Sequence, residues 1–363
     1  MKQSRPSLDL LQLILSRMGF FSPTFWSIAF ALALGFGVVG LIILALGANP
    51  LVAYQRLFLG AFGSPSKLAL TLIRATPVIL ISLGTIIPFR SSIWNIGQEG
   101  QFYIGALAAT LVGISLGFLP SIVLIPFLII AGFVAGGAWS GLAGVLKAKL
   151  RADEVITTLM LNFVALLVID FAVTGPLRDP ESRGNPISPP IALSAHLPII
   201  IPGTSLHAGF LIALLFAPVV YFLLFRTSLG FAIRSVGFNS IASTYAGMSV
   251  SKIYLTVMLL GGGFAGIAGM SEVAGVQQRL LVGISPGFGA TGIVAALLGK
   301  LHPFGAVLAS IFYASIFIGA DEMARATGIN TFLVFVIQGI VILAVLATDR
   351  WKWFEGVRKW QKR

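Results

Sequence analysis

The chain has 363 residues, 57% of them hydrophobic and 10% charged, with a mean hydropathy of +0.98 and a formal net charge of +12. That composition lies far outside the soluble globular range, and at about 20 apolar residues per span it leaves room for roughly eight to eleven transmembrane helices and no sizeable soluble domain. The cations sit at the ends of apolar runs, which argues against nucleic acid; the lack of cysteine excludes disulfides and thiolate metal sites, and His196, His207 and His302 have no ligand-like spacing.

In chain order, residues 1–25 read as an amphipathic cytoplasmic segment and not as a cleavable signal, because Arg17 breaks the apolar run and no small-residue cleavage site follows. The transmembrane region is 26–348. Span one is Trp26–Leu46, with Gly35, Gly37 and Gly40 as a flat helix face, and an outer segment, Gly47–Lys67, places Tyr54, Phe58 and Phe62 at the interface. Span two, Leu68–Pro88, carries Arg74 near its outer end, where snorkelling to water is favoured over a buried ion pair.

After Arg90, the polar residues Asn95, Gln98, Glu99 and Gln101 crowd into a glycine-broken turn that opens span three, Gln101–Phe118. Polar, non-helical backbone at membrane depth is tolerated only where it is buried in protein or lines a cavity, so the turn is a candidate pathway wall. Asn95 as helix cap, with Gln98 three residues on, is a structural reading that coexists with it. Span four, Ser121–Val145, has Gly132/Gly136 and Gly137/Gly141 at the spacing for close helix contact, and ends at Lys147, Lys149 and Arg151. Span five begins with Asp153 and Glu154, where acids favour a helix N-terminus, and places Thr158 and Asn162 on one inward face.

Residues 176–206, with seven prolines, form an outer cap and not a span. Span six, His207–Phe225, leads into a cytoplasmic loop, residues 226–252, which carries cations and no acid. Span seven is Ile253–Val276, with Glu272 near its outer end, and span eight, Ala290–Leu301, again follows a glycine-broken polar turn. Spans nine and ten are Phe304–Ala320 and Asn330–Thr348, and residues 349–363 form a basic cytoplasmic tail. With both termini inside, 17 of the 24 cations fall on the inner side, as the positive-inside rule requires of ten spans. The similar openings of spans three and eight, five spans apart, are compatible with an inverted repeat of five plus five. The expected fold is thus an all-α polytopic bundle.

Several phrases together resemble the permease subunits of bacterial ABC importers, in the nucleoside and simple-sugar branch of the branched-chain amino acid and ribose permeases. They are RATPVILISLG, WNIGQEGQFYIGA, LRADEVITTLMLN, SAHLPIIIPGTSLHAGF, GFAIRSVGFNSIASTYAGM and FGATGIVAALLGKLHPFGAVLAS. The polar turn and the inward face of span five give a candidate pathway wall of Asn95, Gln98, Glu99, Gln101, Thr158 and Asn162, and the resemblance implies a coupling loop in which Gly230, Arg234, Gly237, Asn239 and Gly247 meet a cytoplasmic ATPase. The bland reading of that loop is a solvated amphipathic connection.

The resemblance also implies partners: a second, shorter permease, the ATPase, and a substrate-binding lipoprotein or periplasmic protein, all at the bacterial plasma membrane. No cofactor is expected in this chain, with ATP and Mg used by the ATPase, because Gly299-Lys300 is followed by Leu301 and preceded five residues earlier by Val294, which is no phosphate-binding loop. The chain is therefore expected to be a transport subunit and not an enzyme. The long 176–206 loop resembles that of the larger permease of a pair and leans the substrate toward nucleosides over simple sugars. From another class, an ion-coupled secondary transporter would use Glu99, Asp170 and Glu272 as proton-relaying carboxylates.

Overall fold

The computed structural model describes residues 23–182, 184–330, 333, 335–340 and 343. The segment before residue 23, most of span ten and the basic tail lie outside them. The described residues are helical, with no strand and only two isolated bridges, Ile187 with Leu281 and Ile199 with His207. Two compact units are present: Ala61–Ile318, and Met1–Gly60 with Gly319–Arg363.

In the smaller unit, α1 (Pro23–Ala45) ends at Gly47, whose φ of +81° suits glycine, and the chain turns back through 117° into α2 (Pro50–Phe62). Within this pair the Tyr54 hydroxyl donates to the Phe36 carbonyl of α1 and its ring meets the Phe36 ring edge-on at 5.6 Å. Residues 50–62 are apolar enough to bury against a neighbour, and Gly40 leaves room for the tyrosine.

The larger unit is built around α3 (Pro65–Phe89) and α10 (Val250–Glu272). Ser64 caps α3 by accepting from the Lys67 N–H, and Pro65 occupies a first-turn position where its missing N–H costs nothing. Helix α4 (Gln98–Ser115) and α5 (Ser121–Leu150) pack on α10, and α6 (Glu154–Thr174) packs on α4. The close approach of α5 and α10 follows from the glycine spacing: a Cβ at Gly266 would overlap the Gly132 carbonyl oxygen, and one at Gly136 the Gly262 carbonyl. Asp153 caps α6, accepting from the N–H groups of Val155 and Ile156 at 2.9 and 3.1 Å.

The proline-rich loop is ordered on the end of α10, which continues as a π-turn over Val273–Gln277. The Ser188 N–H donates to the Leu280 carbonyl and the Leu280 N–H to the Ser188 hydroxyl, while the Leu197 N–H donates to the Ala274 carbonyl. Helix α7 (Gly209–Arg226) follows, then α8 (Ser228–Phe238) and α9 (Ser240–Tyr245), so the inner loop holds two short helices divided at Asn239. Helices α11 (Phe288–Leu298) and α12 (Pro303–Thr327) follow, and the described residues beyond them include further helix over 335–340.

Among the described residues six helices are long and apolar enough to cross a membrane, and the bent α1–α2 pair makes a seventh. The gap from ten has local causes: α4 starts with three polar residues in its first turn, α11 is only about 16 Å long at 11 residues, and span ten falls mostly outside the described residues.

Candidate functional site

The chain leaves α3 at Arg90 and re-enters the protein without regular structure before α4 begins. Backbone in this state needs partners, and one face of α6 supplies them. Glu154, Thr158 and Asn162, four residues apart, accept from the N–H groups of Trp94, Ile96 and Gly100 at 3.5, 3.2 and 2.8 Å. The Asn162 amide also donates to the Ile96 carbonyl at 3.0 Å. Three rungs over eight residues span about 12 Å of helix axis. Thr158 and Asn162 thus face inward as expected, but both are engaged in holding the segment.

Asn95 does not cap α4. The N-terminal position is Gly97, which has no side-chain cap, and the Asn95 side-chain Oδ1 accepts from the Gly97 N–H and the Gln101 side-chain amide at 3.0 and 2.9 Å. Its own amide donates to Gln101 and reaches Ser140 of α5 at 3.4 Å. Both residues are buried and polar-paired. Gln98 is also fully buried, and among the described residues neither its amide nitrogen nor its oxygen has a partner.

Glu99 points to another element. Its carboxylate accepts from the Gly289 N–H at 2.6 Å, in the first turn of α11, where the helix dipole favours an anion. Ser285 hydrogen-bonds Glu99 and accepts from the Gly287 and Phe288 N–H groups. The two glycine-broken helix starts therefore meet inside the protein. Beside them the Arg74 guanidinium lies over the rings of Phe288 and Phe317 at 4.7 and 4.2 Å, with the buried Glu272 carboxylate as a charged neighbour. Snorkelling does not describe Arg74. Stacking on two aromatic faces holds its planar cation within the bundle. Of the other carboxylates considered for proton relay, Asp170 is exposed near the end of α6.

The sequence reading missed Glu154, Ser140, Ser285 and Arg74 as parts of this cluster. Two had a signal: Glu154 precedes Thr158 by one helical turn, and Ser285 stands three residues before a helix start.

On the basic face, the loop residues divide by role. A Cβ at Gly230 would overlap the Leu223 carbonyl, and one at Gly237 the Arg90 carbonyl, so both glycines serve packing within the chain. Arg234 lies over the Phe225 ring at 5.3 Å, across from Arg90 at 5.4 Å, and its buried Nη1 has no partner. Burial and the Arg234 charge both weigh against the Arg90 cation, while burial and the Arg90 charge lower the His302 pKa. Asn239 caps α9 by accepting from the Ala242 N–H at 2.9 Å, and Gly247 ends the helical turn with φ +83°. The outward groups are ones the sequence reading passed over: Phe238, Ile241 and Tyr245 are 91%, 69% and 90% exposed.

Residues 68–346 match the family described as branched-chain amino acid transport system permease component. The chain belongs to this family. The permease is 37% identical to the glucose ABC transporter permease protein TsgB13 of Haloferax volcanii, over 89% of this chain and 86% of that protein. It is 36% identical to the guanosine ABC transporter permease protein NupP of Bacillus subtilis, over 88% and 92%. A second guanosine permease protein of the same organism, NupQ, is 27% identical over 67% of this chain and 78% of its own. No solved structure matches the permease. Family and apolar helices together make it a multi-pass membrane transport component, which sets aside the ion-coupled alternative.

Proposed function

We propose that the permease is the larger of two membrane subunits of an ABC importer of the bacterial plasma membrane and forms part of the passage for nucleosides. The observation that carries the reading is the meeting of α4 and α11 inside the bundle, with the fully buried Gln98 amide lacking any protein partner. A buried amide in that state costs free energy that a passing hydroxyl or nucleobase edge would recover. NupP and NupQ are two guanosine permeases of one organism, and the permease matches the first over more of its length, which supports the larger-subunit role. A cytoplasmic ATPase would take α8 and α9, and a substrate-binding lipoprotein or periplasmic protein would meet the outer loop; ATP and Mg would belong to the ATPase. Simple sugars are the second reading, favoured by the slightly higher identity to TsgB13, 37% against 36% to NupP.

Uptake of labelled guanosine by cells that express the complete transporter tests this. Guanosine uptake that unlabelled adenosine inhibits and excess glucose does not is the expected result. Glucose uptake that nucleosides leave untouched would overturn the nucleoside assignment.

A further inference from the structure

A groove of about 480 Å³ opens on the basic face, where the ends of α5 and α9 and the start of α10 converge. It is lined by Lys147 and Arg151 and by the hydroxyl-bearing residues Ser240, Thr244, Ser251 and Tyr254, with no carboxylate among the lining residues. The two cations are not equivalent. Lys147 is tied to Glu154 at 2.6 Å, which neutralises one of them within the chain. Arg151 is exposed, and among the described residues it has no acidic partner. It also holds a left-handed backbone, φ 55°, at the end of α5, a conformation unfavourable for a residue with a Cβ. Glycine would end the helix at lower cost, so arginine's presence at this position is not explained by the turn.

We propose that this groove binds a phosphate-bearing ligand, with Arg151 as the principal charged contact and the Ser240 and Tyr254 hydroxyls as hydrogen-bond donors, since Thr244 and Ser251 already donate to the Ser240 and Ala148 carbonyls. Guanidinium presents a planar fork that matches phosphate oxygens two at a time, and an acid-free lining avoids the repulsion that would oppose a dianion. The volume falls in the range of small-molecule sites and exceeds what inorganic phosphate fills, so the ligand carries a further group on its phosphate. Two sources share this chemistry. One is the headgroup of an anionic phospholipid at the membrane surface, and the other is a soluble nucleoside monophosphate. The site is separate from the α4–α11 cluster, and its existence does not depend on which solute the permease carries.

The test uses the full-length permease, purified with its partner subunits in neutral detergent, and follows binding by the shift in unfolding temperature. The probes are short-chain phosphatidylglycerol, guanosine monophosphate, and short-chain phosphatidylcholine as a net-neutral reference. Arg151→Gly removes the guanidinium and suits the backbone, Arg151→Lys keeps the charge, and Ser251→Asp places an acid in the groove. Saturable binding of phosphatidylglycerol or guanosine monophosphate is expected, weakened at least tenfold in Arg151→Gly and Ser251→Asp and partly restored in Arg151→Lys. Which of the two probes binds identifies the source. The proposal is overturned if neither binds, if phosphatidylcholine binds as well as phosphatidylglycerol, or if the variants bind as the native chain does. Loss of the co-purifying ATPase in the variants, with no change in probe binding, would also overturn it by making the groove a protein contact.

Discussion

Replacing Asn162 with leucine and replacing Gln98 with leucine should affect stability differently, although each removes one amide from the same polar cluster, the first from α6 and the second from the first turn of α4. Leucine at 162 leaves the Gly100 N–H and the Ile96 carbonyl without their partners, which lie at 2.8 and 3.0 Å. A buried polar group left unsatisfied costs about 1–3 kcal/mol, so the pair amounts to about 2–6 kcal/mol, or about 1 kcal/mol if membrane hydrogen bonds average near 0.6 each. Gln98 makes no hydrogen bond that leucine would break, and removing a buried unpaired amide is neutral or stabilising by about 1 kcal/mol. Thermal unfolding of the purified transporter, read beside initial rates of guanosine uptake, separates the two. Asn162→Leu should unfold several degrees lower and transport in proportion to the protein that survives, whereas Gln98→Leu should keep its unfolding temperature and lose about tenfold in uptake. The reasoning fails if Asn162→Leu melts with the native protein, or if Gln98→Leu transports at the native rate.

Gly266→Ala should cost about 1–3 kcal/mol, because its Cβ meets the Gly132 backbone and not a side chain that can move, while Gly37→Ala, with open space around it, should be neutral or stabilising; recovery after heating by size-exclusion chromatography compares them. Phe238→Ala and Tyr245→Ala should lower receptor-stimulated ATP hydrolysis and co-purification of the ATPase without changing the unfolding temperature, and native levels of both would refute a docking role. His207 is buried beside α7, and burial lowers its pKa to about 4. The unfolded chain therefore takes up the proton first, so stability present above pH 6.5 is lost as pH falls toward 4, by up to about 3 kcal/mol; a melting-temperature profile from pH 7.5 to 5 should flatten in His207→Gln. A cysteine at Ala246, which is exposed, should react with a membrane-impermeant thiol reagent in inverted vesicles and not in intact cells, and the reverse would invert the topology.

Much of the helix pattern was legible because its causes are local. Asp153 before Val155 and Ile156, Asn239 before Ala242, and the Gly132/Gly136 pair carry their caps and contacts in the sequence itself. The polar residues of the turn were legible as a group, since apolar surroundings make any cluster of Asn, Gln and Glu conspicuous. Their division of labour was not, because it depends on which backbone groups lie within 3 Å. Asn162 and Gln98 look alike in the sequence, yet one carries two hydrogen bonds and the other none.

The loop facing the proposed ATPase makes the same point from the opposite direction. Gly230 and Gly237 stand out in the sequence, and the freedom they offer suggests close approach by a partner. The chain uses that freedom itself: Gly237 lies against the Arg90 backbone, and the Ser92 hydroxyl donates to the Gly237 carbonyl at 2.9 Å. A glycine so placed fixes where α8 sits relative to the end of α3, and α3 in turn carries Arg74 to the start of α11. A push on α8 would have a packed route to the helix starts that enclose Gln98, through the Gly237–Arg90 backbone contact, the length of α3 and the Arg74 stack on Phe288. If an ATPase docks on the exposed Phe238 and Tyr245 as proposed, the conspicuous glycines would pass its push on.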